Sequence, residues 1–216
     1  MSLDSTQMSL IQERITQTIR EKLRRYRPET SNMLFHFRLL GRDRMALFSF
    51  IHSLNTTSGI SIFEPVAETL ASKRFKSVST QVEPFNEISM DAQIEIQRIM
   101  DALVAGNVQP DKNSEIERIR RVAQRGHKVR TKTVRIDLAV VGVDNSVHLF
   151  DIKTAKPNIS SFRDHKRTLL EWIAIFWAQD NHMDIHSYIA IPYNLYEPRP
   201  YERWTLRGML DIEEEL

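Results

Sequence analysis

With 216 residues, 41% of them hydrophobic and 27% charged, the chain has an ordinary globular composition and the length of one domain with a full-sized core. It contains no cysteine, which excludes disulfides and thiolate metal sites. No apolar run reaches the length of a membrane span and MSLDSTQMSL lacks the features of a signal peptide, so a cytoplasmic protein with no membrane partner is expected.

A helix is expected from Ser5 to Arg27, where Met8, Ile11, Ile15, Ile19 and Leu23 share one stripe and Pro28 ends the run. That stripe either packs on a core or forms a dimer surface. A second helix, Asp43 to Leu54, is rich in Met45, Leu47, Phe48, Phe50 and Ile51 and should be largely buried, with Asn55 to Gly59 (NTTSG) breaking it. In SIFEPVAETLAS, Pro65 suits a first helical turn, and Glu64 and Glu68, four apart, share a face. KRFKSVSTQVEPF reads as loop or short strand. A helix follows from about Ser89 to Ala105, with Ile96, Ile99, Met100 and Leu103 inward and Gly106 as its stop. Ser114 and Glu117 form a capping box for a further helix ending near Gly126.

The net charge is only +2, but it is unevenly spread. From Arg118 to Arg135 there are eight Lys or Arg residues and no acid, whereas the last six residues hold four acids. The basic stretch is either a solvated helix face and loop or a phosphate-contacting track; its position just before the next motif favours the second, with Arg118, Arg121, Arg125, Lys128, Arg130 and Lys132 as DNA-binding candidates.

That motif is TVRIDLAVVGVDNSVHLFDIKTAKPN, Thr133 to Asn158. Two apolar runs, 133–141 and 147–153, flank the turn-prone Asp144-Asn145, the pattern of a β-hairpin. A turn centred there makes opposed residue numbers sum to about 288 or 289, which sets Asp137 opposite Asp151 or one residue off. Strand alternation points Asp151 and Lys153 to one face, and pairing brings Asp137 to the same edge. Two carboxylates and an ammonium among apolar neighbours need partners. A divalent metal and a salt-bridged structural hairpin are the two readings.

Beyond the hairpin, Lys156-Pro157-Asn158 is a loop, with Lys156 a further phosphate candidate, and Ser161 with Asp164 caps a long helix to about Gln179. Arg163, His165, Lys166 and Arg167 crowd its first two turns; a basic start opposes the helix dipole, so either solvent or a nearby phosphate is expected there, and Lys166 joins the DNA-binding candidates. Ile185 to Ile191 is a strand. IPYNLYEPRPYERW then forms an ordered loop that either packs on the core or reads bases through Arg199 and Arg203.

Asp137 followed by Asp151-Ile152-Lys153 resembles the core of the PD-(D/E)XK nuclease superfamily, with Ile136 in place of the Pro of the family name. The segments Phe35 to Ala71, Val134 to Asn158 and Ile191 to Ile212 are similar to the TdeIII-type family of type II restriction endonucleases. The resemblance implies Mg²⁺-dependent cleavage of both strands of double-stranded DNA at a short site, by a homodimer. It implies Asp137 and Asp151 as metal ligands, Lys153 at the attacking water, and a helical Glu beside them, Glu64 first and Glu68 second. Chains of that family run on past DIEEEL, so a shortened C-terminus is expected.

A zinc site from His182 and His186 is disfavoured, since the pair straddles a helix-to-strand change and no Cys is present. Walker and dinucleotide loops and a GxSxG context are absent. A repair or junction-processing nuclease and a catalytically silent DNA-binding module are the alternatives. The expected architecture is α/β: a single domain over 1–216 with an N-terminal helical segment and a central mixed sheet, containing the hairpin, flanked by helices.

Overall fold

The computed structural model describes residues 3–27, 34–153, 159–202 and 208–216. Pro28, Lys156 and Arg203 lie outside them. The chain divides into two compact units, 1–70 and 71–216.

The first unit is helical. Helix α1 spans Ser5–Arg25; the Asp4 carboxylate caps it by accepting the Gln7 N–H at 2.8 Å, and Lys22, Arg24 and Arg25 in its last turn complement the dipole. No residue along it is buried, so its apolar stripe covers no core of its own. Just past it, Tyr26 packs edge-on against Phe50 and its hydroxyl meets that of Ser49. Helix α2 is Leu34–Leu40 and α3 is Arg42–Ser58.

Asn55 to Gly59 does not break the helix as expected. The chain runs through a π-helical turn, Gly59–Phe63, into α4, Glu64–Ala71. Gly59 stays right-handed (φ −51°, ψ −68°), the Ser58 hydroxyl donates back to the Leu54 carbonyl, and the Glu64 N–H reaches back to Gly59 O. Local propensity is a weak prior, and here the Ser hydroxyl bonds along the helix instead of ending it.

The second unit carries a four-stranded mixed sheet and three principal helices, the α/β architecture expected. Strand β1 is Ser77–Val82, which settles 73–85 as containing a true strand; β2 is Glu87–Ser89, and helix α5 is Met90–Val104, capped by the Ser89 hydroxyl. Helix α6 is Lys112–Arg120. Its N-cap is Asp111, whose carboxylate accepts the Ser114 N–H, so the helix starts before the expected Ser114–Glu117 box. Next come β3 (Lys128–Arg130), β4 (Ile136–Val141), β5 (Val147–Ile152), helix α7 (Ile159–Gln179), β6 (Ile185–Ala190) and α8 (Ile212–Glu215).

The sheet order is β1-β4-β5-β6, with β1/β4 and β4/β5 antiparallel and β5/β6 parallel; β2 and β3 form a separate antiparallel pair. Paired residues of β4 and β5 sum to 288, as in Leu138 with Phe150, one of the two values read from the turn. The turn is held by the Asp144 carboxylate, which accepts from the Ser146 N–H (3.1 Å) and hydroxyl (2.6 Å), while Asn145 takes φ +69°, a conformation Asn tolerates. Gly142 leaves room for these contacts: a Cβ there would collide with Asp144 Oδ1 and lie 2.5 Å from Ser146 Oγ, so a side chain would have to displace them.

A parallel β5/β6 pair needs a crossover, and α7 supplies it. Its buried residues Leu169, Leu170, Trp172 and Ile173 pack with Ile96, Ile99 and Leu103 of α5, Ile119 of α6, and Leu149, Ile185 and Ile189 of the sheet. Trp172 and Trp177 bury their rings while donating Nε1–H to the carbonyls of Val134 (2.8 Å) and Met183 (2.9 Å), so neither indole proton is left unpaired. Ser161 lies inside α7 and does not cap it.

Candidate active site

The hairpin sits at the centre of the sheet, and its open end gathers Asp137, Asp151 and Lys153. The β4/β5 pairing ends at Leu138–Phe150; one step further, Asp137 is level with Asp151. Here the Asp137 carboxylate replaces a main-chain acceptor, with Oδ2 taking the Ile152 N–H at 2.8 Å. On its other side Asp137 is level with Gln81, whose φ of +54° is strained for a side-chain-bearing residue and interrupts the β1/β4 ladder between Thr80–Leu138 and Val82–Ile136. Asp137 thus stands where the sheet opens.

Asp151 is 2% exposed. Its Oδ1 holds the Lys153 ammonium, which lies 3.7 Å from Asp137 Oδ2, and its Oδ2 faces His165 Nδ1 at 3.2 Å. The Lys153 N–H is anchored to Ala190 O of β6 at 2.9 Å. Burial pushes the Asp151 carboxyl up, but the His165 hydrogen bond and the neighbouring Lys153 charge outweigh it and hold Asp151 below the usual carboxylate range. It is an ionised buried acid, and two carboxylate oxygens from facing strands already share one cation, the ammonium.

Among the described residues no group of three or more His, Asp or Glu side chains could hold a metal ion. The two carboxylates still fit a hard divalent cation, because Mg²⁺ is commonly held by one or two carboxylates plus water and substrate oxygens. Glu64 opens α4 in the first unit, where it is buried, and Glu68 is half-buried one turn on.

The basic stretch is sorted by the structure. Arg118 pairs with Glu95 at 2.7 Å, Arg121 with Glu117 at 3.2 Å, and Arg120 lies over the Trp177 ring at 5.3 Å. Lys128, Arg130 and Lys132 alternate outward along and just past β3, and with Arg125 they are exposed and have no ion pair among the described residues. Arg199 is exposed in the loop after β6, where its N–H bonds Tyr196 O.

Lys166 corrects the expectation of DNA contact at the start of α7. It is 0% exposed, bound to Glu115 and, at 2.7 Å, to Glu215 Oε2. A buried carboxylate pair, instead of a phosphate, answers its charge. His165, grouped with the same basic turns, also points inward, onto Asp151. A signal was available: Phe162, His165, Lys166 and Leu169 follow the three-to-four spacing of the inner stripe, whereas Arg163 and Asp164 fall outside it and are exposed.

A mixed sheet flanked by helices, with two acids and a lysine converging at its central hairpin, defines the class: a restriction-endonuclease-like nuclease fold. The chain belongs to the HinfI family of type II restriction endonucleases, whose family model matches residues 3–216. It is therefore an endodeoxyribonuclease with DNA as substrate, and the shown family is HinfI where the sequence segments suggested the TdeIII type. No curated protein and no solved structure matches the chain.

Proposed function

We propose that the protein is a Mg²⁺-dependent endonuclease of PD-(D/E)XK type that cuts both strands of double-stranded DNA at a short specific site. The observation that carries this reading is the convergence of Asp137 Oδ2 and Asp151 Oδ1 on the Lys153 ammonium. Asp137 and Asp151 would hold the metal, and the ion would supply Lewis-acid stabilisation of charge on the scissile phosphate. Lys153 orients the attacking water and eases its deprotonation. The enzyme acts as a homodimer in the cytoplasm, in keeping with a double-strand cut; among the described residues no helix is long and apolar enough to cross a membrane. In the same reading, the TdeIII-type likeness of three segments is kinship within the wider class of type II enzymes.

Digestion of a sequenced plasmid with Mg²⁺ tests the reading: a fixed fragment pattern is expected, and random nicking would speak for a structure-directed nuclease instead. Asp137→Asn and Asp151→Asn should each lose Mg²⁺-dependent cleavage. Asp144→Asn should not, because an Asn carbonyl can still accept the Ser146 hydrogen bonds at the turn. Loss of cleavage in Asp144→Asn alone would refute the assignment.

Lys128, Arg130 and Lys132 form the phosphate track in this reading, together with Arg125 and Lys156, while Arg199 and Arg203 read bases. Replacing Lys128, Arg130 and Lys132 by Gln should weaken binding to all duplexes alike. Each lost phosphate contact should lower the slope of log affinity against log salt by about 0.9. Salt titrations of cognate and scrambled duplexes, with Ca²⁺ in place of Mg²⁺, measure both effects; lost discrimination with an unchanged slope would assign these residues to base reading.

A further inference from the structure

The second oxygen of Asp151 is held by a side chain from outside the hairpin. We propose that His165 of α7 is a positioning residue that fixes the Asp151 carboxylate so that Oδ1 is presented to a divalent cation. The inference rests on the Mg²⁺-dependent reading of the site.

A carboxylate on a strand can turn about its last torsion, and its two oxygens are then interchangeable. One donor on Oδ2 removes that freedom and singles out the other oxygen. His165 Nδ1 stands 3.2 Å from Oδ2, while Oδ1 faces the ammonium that it shares with Asp137. An ionised carboxylate only accepts, so Nδ1 carries the proton, in neutral and charged imidazole alike. The ring itself has little freedom. Phe162, fully buried, meets it edge-on at 6.1 Å and 86°, and the next residue, Lys166, is tied to Glu115 and Glu215 in the core. Hydrogen bonds of this kind to metal-ligating groups orient them, and their loss typically lowers metal affinity about 10- to 100-fold.

The test is Mn²⁺ binding by the full chain without DNA, read by paramagnetic resonance, beside a thermal unfolding curve for each variant. His165→Asn places an amide N–H near the position of Nδ1, whereas His165→Gln places it near Nε2. The Asn variant should bind within a few-fold of wild type. The Gln and Ala variants should bind about 10- to 100-fold more weakly at temperatures where each remains folded. Equal binding by the Asn and Gln variants, or wild-type binding by His165→Ala, overturns the proposal. Asp151→Asn is the reference: if it binds Mn²⁺ as wild type does, the metal reading of the site itself fails, whereas loss of binding there with no effect at His165 defeats the positioning role alone.

Discussion

Lys153→Ala should lower cleavage by about 10²- to 10⁴-fold, the range of a lost proton-transfer group, while leaving DNA affinity within a few-fold. Lys153 is half-buried at the open end of β5, its ammonium shared by Asp151 Oδ1 and Asp137 Oδ2. It faces the two acids instead of a groove surface, so duplex affinity has little to lose. The same geometry adds a second expectation. The ammonium stands in for a cation between the acids, and without it the two carboxylates repel each other in the metal-free protein. Mn²⁺ should therefore bind Lys153→Ala at least as tightly as wild type while turnover collapses. Cleavage at the wild-type rate would remove Lys153 from the chemistry, and weakened metal binding would show that it supports the acids only as scaffold.

Glu215→Ala should destabilise the protein by about 3–5 kcal/mol, the cost of stranding a buried charge, against a whole-domain stability of about 5–15 kcal/mol. Glu215 is fully buried and bridges two ammonium groups, Lys112 at 3.1 Å through Oε1 and Lys166 at 2.7 Å through Oε2. Lys112 also donates to Ser187 Oγ at 2.9 Å, and its N–H to Asp211 Oδ2 at 3.1 Å, so α6, α7, β6 and α8 meet at one charged knot. Burial lowers the Lys112 pKa and raises that of Glu115. The signs follow from linkage. A raised Glu115 favours the fold below the ordinary carboxylate range and loses that contribution as pH rises through its shifted value. A lowered Lys112 favours it above the ordinary lysine range and loses that contribution as pH falls through its shifted value. Wherever they are ionised, both groups burden the fold; Glu215 is the countercharge of Lys112 and Lys166 that of Glu115. Replacing all four together (Lys112→Met, Lys166→Met, Glu115→Leu, Glu215→Leu) should thus recover much of what Glu215→Ala alone loses. Urea unfolding measures both, and a Glu215→Ala midpoint unchanged from wild type would sink the argument.

Which parts of this were legible in the sequence follows from the range of the interactions. The hairpin was, because alternation and a short turn narrow the register locally; a turn around Asp144 and Asn145 leaves 288 or 289, and the strands pair at 288. The ends of α5 and of β6 were legible for the same reason. Glu215 was not. Four acids in the last six residues look like a solvated tail, and only α6, about a hundred residues away in sequence, and α7, about fifty away, turn one of them into a core residue. Lys166 and His165 were misread by counting charge where period carried the information. The helix through Gly59 was misread because a π-helical turn has no compositional mark. The side-chain environment of Glu64 depends on tertiary packing, which neither its helical spacing nor the resemblance defines.

The buried lysine knot also gives the molecule an internal clock. Lys112 and Lys166 are sealed in the core, whereas lysines such as Lys128 and Lys132 stand in solvent. An amine-reactive reagent should modify the exposed set at once and the sealed pair only when the fold opens, so the lag between the two reports the opening free energy of this region. Mass spectrometry of the two lysine-bearing peptides would follow that clock in the native protein without denaturant, and a change in the lag on adding DNA would reveal whether substrate tightens the core as well as occupying the site.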